Sequence, residues 1–356
     1  MILRPKSSRH YATLAGAAST APMATVPAWL RRAVPDTQSL AGKGVGLNAL
    51  GPNALEDVAL AAGAAIGALD AVVRRQEKWA GAWRQRLALA AAAATARQAG
   101  RVEDEAALRD TFVFSGPGDS LSGSTPLGPA GLLLLAWRRL AARPAEDLLK
   151  EKSLAAVLEE FGYAPEDEVV SDLADELRQL SASIGTVGML TGAFMAAERH
   201  GFGLAVGAWF ADALLAQRLG WAHAVPLLGA EGPLAVGSAR TRRSATVFPA
   251  AGIEIESDRA KNLLAAQARA ALRAIDLFTG LERRAEKLLA VAPKLRAKGA
   301  EAVVDRLLNE DALVASRGDK KTGMSDRGLR RLFDRLVELG GVRELSGRPT
   351  FRIYGL

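Results

Sequence analysis

Apolar residues recur at helical spacing along most of the chain, and polar residues occupy the positions between them. Alanine and leucine, both strong helix formers, dominate the apolar positions between residues 55 and 290. The pattern predicts helices over 55–75, 78–99, 103–112, 130–142 and 166–180, two within 184–219, and a long one over 258–290. Residues 225–257 hold several Pro and Gly breaks and are predicted to be a loop that ends at an N-cap, Ser257. We therefore expect a mainly α protein with a helical, bundle-like body.

A different pattern occupies the C-terminal end of the chain. Ser325 has a side chain suited to an N-cap, and the apolar residues at 329, 332, 333, 336, 337 and 339 give the next helix one apolar face. Gly340 and Gly341 are expected to end this helix, before a strand over 342–345, a turn over 346–349 and a strand over 350–354. With helices over 300–308 and 311–315 placed ahead of it, the pattern predicts a C-terminal winged helix-turn-helix with one β-hairpin.

These patterns divide the chain into three expected parts. Residues 1–50 lack a periodic apolar face and are expected to be a flexible N-terminal tail, with an organelle transit peptide as the alternative for this basic segment. Residues 51–296 are the expected α-helical body, and residues 297–356 the expected winged-helix module. No stretch of 18 apolar residues runs without polar interruption, so we expect no membrane association and a cytoplasmic location.

Composition narrows the classes of function. The chain has no cysteine, which excludes disulfides and thiolate metal sites. The formal net charge is +7, which is compatible with a nucleic-acid partner and equally with a generally basic surface.

Catalytic motifs are not found in the sequence. The three histidines, His10, His200 and His223, do not have the spacing of a metal site. The glycines within 42–46 resemble a phosphate-binding loop, but no Ser or Thr follows the Gly-Lys pair. We therefore predict no catalytic residue, no metal and no cofactor.

Several segments carry a resemblance to a known family. They are WRQRLA at 83–88, GRVEDEAALRD at 100–110, GPAG at 128–131, RLFDRLVELG at 331–340 and GRPTFRIYGL at 347–356. These segments resemble an uncharacterised bacterial family that is known by a domain-of-unknown-function label, over most of the chain after residue 50. That resemblance implies no activity and no site residues. The terminal helix and hairpin also resemble the winged helix that follows Fic domains, but the His-Pro-Phe and Gly-Asn-Gly-Arg signature of Fic catalysis is absent.

Three functions are compatible with these observations. The first is DNA binding through the C-terminal winged helix, with a regulatory role or one in plasmid or chromosome maintenance. The second is protein–protein interaction or assembly, in which the winged helix contacts a protein partner or a second copy of the chain. The third is an enzyme whose site is built from scattered residues of the helical body.

The residues expected to contact nucleic acid lie on the terminal helix and hairpin: Ser325, Arg327, Arg330, Arg331, Arg335, Arg343, Arg348 and Arg352. The first turns of such a helix enter the major groove, and the wing contacts flanking phosphate or minor groove. Asp334 and Glu338 share the arginine face and are expected to pair with Arg330 and Arg335.

Overall fold

The computed structural model describes residues 26–34, 55–115, 127–182, 185–231, 249–315, 324–348 and 350–356, with the backbone alone for 249–258. The α-helices of these residues, in chain order, are α1 Ala28–Ala33, α2 Leu55–Arg74, α3 Ala80–Gln98, α4 Glu105–Ser115, α5 Gly128–Ala142, α6 Glu151–Glu160, α7 Asp167–Ala182, α8 Thr186–Arg199, α9 Leu204–Arg218, α10 Pro249–Val291, α11 Ala300–Asn309 and α12 Asp326–Glu338. Short 3-10 helices lie at Ala145–Asp147, Leu228–Ala230 and Ala292–Lys294. The protein is mainly helical, as predicted, and none of the described helices is long and apolar enough to cross a membrane.

Helices α2 and α10 pack along each other and form one side of the core. The buried residues of α2 recur three or four positions apart, which places them on one stripe: Val58, Ala61, Ala62, Ala65, Leu69 and Val72. Half of this stripe is alanine, and these small side chains let the two helices approach closely along their shared length.

Helix α3 lies between α5 and α10 and is buried along most of its length. Two indole groups fix its neighbours. The Nε1–H of Trp83 donates to the carbonyl oxygen of Ala274 at 2.9 Å, and the Nε1–H of Trp137 donates to Oγ1 of Thr95 at 3.0 Å. Because a buried indole N–H needs an acceptor, these bonds set the orientation of α10 and α5 against α3.

The C-terminal end contains a small antiparallel sheet. Its strands are β1 Leu313–Val314, β2 Arg343–Glu344 and β3 Ile353–Gly355, in the order β1-β3-β2. Tyr354 of the central strand lies opposite Leu313 on one side and Glu344 on the other.

Helix α11 joins this end of the chain to the body. It crosses α3 at Gly81, where an added Cβ would lie 2.7 Å from the Cα of Asn309. Only glycine permits so close a backbone approach. The buried side chains of α11 and α12 are continuous with those of the body in a single apolar core.

The sequence prediction for residues 311–315 is wrong. A helix was expected there, whereas Leu313–Val314 is strand β1, and the sheet therefore has three strands in place of one hairpin. The backbone partners of β1 lie in β3, about forty residues further along the chain. A strand of two residues is too short to show an alternating pattern of apolar and polar residues, and its pairing partner is distant in the sequence, so the local sequence does not predict it.

Two other boundaries also differ from the sequence prediction. Helix α10 begins at Pro249, a residue that suits the first helical position, so Ser257 lies inside the helix and the predicted loop does not extend to residue 257. Within the expected tail, residues Ala28–Ala33 form α1, and Leu30 is fully buried. Residues 1–25 and 35–50 lie outside the described part of the chain.

Candidate nucleic-acid interface

Helix α12 has the capped start that the sequence predicts, but its buried face is narrower than predicted, because Val337 is 41% exposed. Oγ of Ser325 accepts a hydrogen bond from the backbone N–H of Gly328 at 3.3 Å, so this hydroxyl serves the helix terminus. Gly340 has a φ of +69°, as a helix C-terminus often requires. The ring of Phe333 stacks on that of Tyr354 with 4.5 Å between centroids. The residues of the buried face are Leu329, Leu332, Phe333 and Leu336. This packing holds α12 against β3 and leaves its other face in solvent.

Three arginines occupy the first two turns of that solvent face. Arg327, Arg330 and Arg331 are exposed, and none of them has a hydrogen bond or an ion pair to a residue that the structure describes. The expected pairing of Arg330 with Asp334 is therefore not formed. These three guanidinium groups can reach an external partner without breaking an existing contact to the described residues.

The second half of α12 carries one arginine and two acids, Asp334 and Glu338. Arg335 donates to Oε2 of Glu338 at 2.6 Å, which is the predicted pairing at three residues' separation. Both side chains are more than half exposed, so the pair contributes little to stability. Its effect is to lower the positive charge of the helix beyond the first two turns.

The arginines of the hairpin have partners. Arg348, at the tip, forms an ion pair with Asp110 of α4, and its backbone N–H donates to Oε1 of Glu344 at 3.2 Å. Nε of Arg352 lies 3.8 Å from Oε2 of Glu344. Both guanidinium groups remain about half exposed, so they face solvent and are partly neutralised at the same time.

Arg343 lies close to arginines of the helical body, unlike the other arginines that are expected to bind nucleic acid. It stands on β2 opposite Gly355 and close to Arg284, Arg86 and Arg109 of the body. Burial lowers the pKa of Arg343, and the positive charges of these three arginines lower it further.

Comparison with known proteins identifies the family. The family described as "Protein of unknown function (DUF1403)" matches residues 19–356. The chain belongs to the DUF1403 family. This confirms the resemblance to a domain-of-unknown-function family and extends it over nearly the whole chain. No curated protein and no solved structure matches it.

The structure of this DUF1403 chain thus divides the eight expected residues into groups. Arg327, Arg330 and Arg331 lie together on exposed turns of α12, whereas Ser325 acts as a helix cap. Arg335, Arg348 and Arg352 lie next to carboxylates, and Arg343 joins arginines of the body.

Sequence reasoning missed the residues that gather around Arg343. Arg86 and Arg109 lie on α3 and α4, and both contact the buried carboxylate of Asp311. Both are separated from Asp311 by more than two hundred residues, and the family segments that contain them, 83–88 and 100–110, do not indicate that they meet it. Asp311 follows Asn309 and Glu310 directly, so its sequence neighbours do not mark it as a buried carboxylate.

Two of the three histidines, His200 and His223, lie in the described part of the chain and have contacts within the fold. Nε2 of His200 lies 3.1 Å from Oε2 of Glu176 on the helix surface. His223 is bridged to Pro144 through the backbone, and burial, followed by the charge of Arg84, lowers its pKa. Within the described ranges, no group of three or more His, Asp or Glu side chains is arranged to hold a metal ion. His10 and residues 42–46 lie outside those ranges.

Proposed function

We propose that this DUF1403 protein binds DNA through α12 and the β2–β3 hairpin, used as a winged helix-turn-helix. The observation that carries the proposal is the set of three exposed arginines, without partners among the described residues, on the first turns of a helix whose other face is packed on a sheet. The element order α11, β1, α12, β2, β3, with β3 central, supports it. Residues 316–323, where a winged helix has its second helix, lie outside the described part of the chain.

The proposed docking follows from where the positive charge lies. The first turns of α12 enter the major groove, and Arg327, Arg330 and Arg331 contact phosphates or the acceptor edges of guanine. Arg348 reaches flanking phosphate only when its ion pair with Asp110 opens. Because that arginine is half exposed, opening the pair costs little free energy. The proposal includes a cytoplasmic location, where the DNA is accessible.

The test measures the affinity of the full-length chain for duplex DNA over a salt series. We expect the double variant Arg327→Ala/Arg331→Ala to weaken binding about tenfold or more and to lower the salt slope by about one for each lost phosphate contact. Loss of a base contact relaxes sequence preference instead. Arg348→Ala should have a smaller effect.

Arg178→Ala is the matched control. Arg178 is an exposed arginine that pairs with Asp175 three residues away on α7, as Arg335 does with Glu338 on α12. Arg178→Ala removes one positive charge, as each single arginine substitution in α12 does, but it leaves α12 unchanged. Equal losses of affinity in Arg178→Ala and in a single α12 variant would reduce DNA binding to an effect of overall charge.

One observation favours the second function, contact with a protein. Val337 is 41% exposed on the solvent side of α12, beside the Arg335–Glu338 pair, which gives that half of the helix a mixed apolar and polar surface. Unchanged DNA affinity and unchanged salt dependence in the double variant would favour this function.

A further inference from the structure

Four arginines from four separate elements meet around one buried carboxylate. They are Arg86 of α3, Arg109 of α4, Arg284 of α10 and Arg343 of β2, and we call them the arginine cluster. The carboxylate belongs to Asp311, whose side chain is 4% exposed. The cluster therefore lies where the C-terminal sheet meets the body.

Two of the four guanidinium groups are satisfied by Asp311. Arg86 donates through Nε to Oδ1 of Asp311 and through Nη2 to its backbone oxygen, the latter at 3.2 Å. Nε of Arg109 donates to Oδ2 at 2.6 Å. Both arginine side chains are nearly buried, so Asp311 is the group that compensates their charge.

The other two form no ion pair with an Asp or Glu side chain that the structure describes. Nη1 of Arg284 lies 3.4 Å from the backbone oxygen of Leu356, and Arg343 forms no ion pair. Burial and the charge of Arg86 contribute to a lowered pKa at both residues. Arg138 of α5 also lies close to Asp311 and Glu310, so five arginines share this partly desolvated place with two carboxylates.

This excess charge is costly to the fold, because like charges repel strongly where water is partly excluded. A neutral side chain at position 284 or 343 would avoid that cost. The cluster is also open to an external anion, because the side chain of Arg343 is exposed and that of Arg284 is partly exposed. Gly355 brings the backbone of β3 close to this group, since a Cβ there would lie 2.7 Å from the backbone oxygen of Asp311 and 3.7 Å from Nη2 of Arg86.

We infer that the arginine cluster binds a phosphate or diphosphate group of a small anion, held mainly by Arg284 and Arg343 with Arg86 beside them. The planar fork of arginine matches phosphate oxygens and binds them through paired hydrogen bonds. The bound group supplies the negative charge that the cluster lacks, and it thereby strengthens the contact between the C-terminal sheet and the body. This inference does not rest on the proposed binding of DNA.

The test is calorimetric titration of the full-length chain with sodium pyrophosphate at constant ionic strength. We expect saturable binding to the wild type, and binding weakened about tenfold or more in Arg284→Gln and in Arg343→Gln, since each removes a charge-assisted contact. Arg178→Gln, which removes an exposed arginine of α7 outside both proposed sites, is the matched control and should bind as the wild type does. No saturable binding, or equal weakening in all three variants, would overturn the inference.

The melting temperature measured without pyrophosphate shows whether a variant has lost only the binding site or has also lost stability of the fold. Because Arg343→Gln relieves repulsion, it should melt at or above the wild-type temperature, while losing the rise that pyrophosphate produces in the wild type. A variant that melts well below the wild type would contradict the assigned repulsion. Titration with duplex DNA identifies the source of the phosphate. If Arg343→Gln weakens the binding of pyrophosphate alone, the cluster binds a free anion. If it weakens the binding of both pyrophosphate and DNA, the cluster binds a phosphate of the nucleic-acid backbone.

Discussion

Asp212 shows how a single buried side chain sets local structure. It lies on α9 with 1% exposure, and its Oδ2 accepts backbone N–H groups of Leu227 at 2.7 Å and Leu228 at 3.0 Å. These bonds hold the chain at the start of the Leu228–Ala230 turn. Burial outweighs the two hydrogen bonds and raises the pKa of this carboxyl well above its ordinary range.

The pH dependence of stability should reveal this residue. Because the pKa is higher in the folded than in the unfolded chain, the proton on Asp212 stabilises the fold at low pH, and this contribution is lost as the pH rises through the folded pKa. The asparagine of Asp212→Asn does not ionise, so this variant does not lose stability at this position as the pH rises. We expect its stability relative to the wild type to improve with rising pH, by about 1.4 kcal/mol for each unit of the pKa difference.

Denaturant unfolding across acidic to neutral pH measures the effect. Asp175→Asn is the control, since Asp175 is 60% exposed on α7, and its difference from the wild type should change little with pH. An advantage of Asp212→Asn that shrinks as the pH rises would contradict the assignment.

At the scale of elements, local chemistry explains most of what the sequence predicts. Helices α2, α3, α5 and α12 fall within a few residues of their predicted bounds, because the helix-forming residues and apolar periods that define them are contained within each segment. Ser325 is the clearest case, since its hydroxyl accepts the bond that an N-cap predicts. Strand β1 could not be predicted in this way, because it exists only by pairing with β3.

Helix α1 is another element whose stability comes from distant contacts. With only six residues it is too short to be stable alone, and it is held by burial of Leu30 and by a bidentate ion pair between Arg31 and Asp276 of α10. We expect Leu30→Ala to lower the free energy of unfolding by about 2–5 kcal/mol, because it leaves a cavity in a fully buried site.

The neighbouring residue provides the control for this prediction. Trp29 is 46% exposed, so Trp29→Ala should cost clearly less than Leu30→Ala although it removes a larger side chain. Urea denaturation of both variants decides the matter. No cost for Leu30→Ala would show that α1 contributes nothing to the stability of the fold, and equal costs would contradict the difference assigned to burial.

For the whole molecule, the contact between the C-terminal end and the body combines a polar centre with outlying pairs. Asp311 binds Arg86 and Arg109 at the centre, and Arg348 binds Asp110 at the hairpin tip. Close to that tip, the rings of Phe114 and Phe351 meet edge to face at 5.8 Å. Sequence reasoning could not find this contact, because its members carry no shared motif and come together only once the helices have packed.

The two acidic residues of this contact should differ widely in importance. Asp311→Asn removes the carboxylate between two nearly buried guanidinium groups and leaves their charges uncompensated, so we expect it to lower the free energy of unfolding by about 3–5 kcal/mol. Asp110→Asn removes the partner of a half-exposed arginine, and its cost should stay near or below about 1 kcal/mol.

A double variant links the cost of Asp311→Asn to its cause. The double variant Arg109→Gln/Asp311→Asn removes one of the two guanidinium charges that Asp311→Asn leaves uncompensated. It should therefore be more stable than the sum of the two single costs predicts, by about 0.5–3 kcal/mol. Denaturant unfolding of the four species in this cycle gives the coupling energy. Strict additivity, or a cost of Asp311→Asn no larger than that of Asp110→Asn, would mean that Asp311 does not compensate the buried arginines. A large coupling would instead establish that the C-terminal sheet is held to the body by charge balance around Asp311, the same balance that a bound phosphate group would complete.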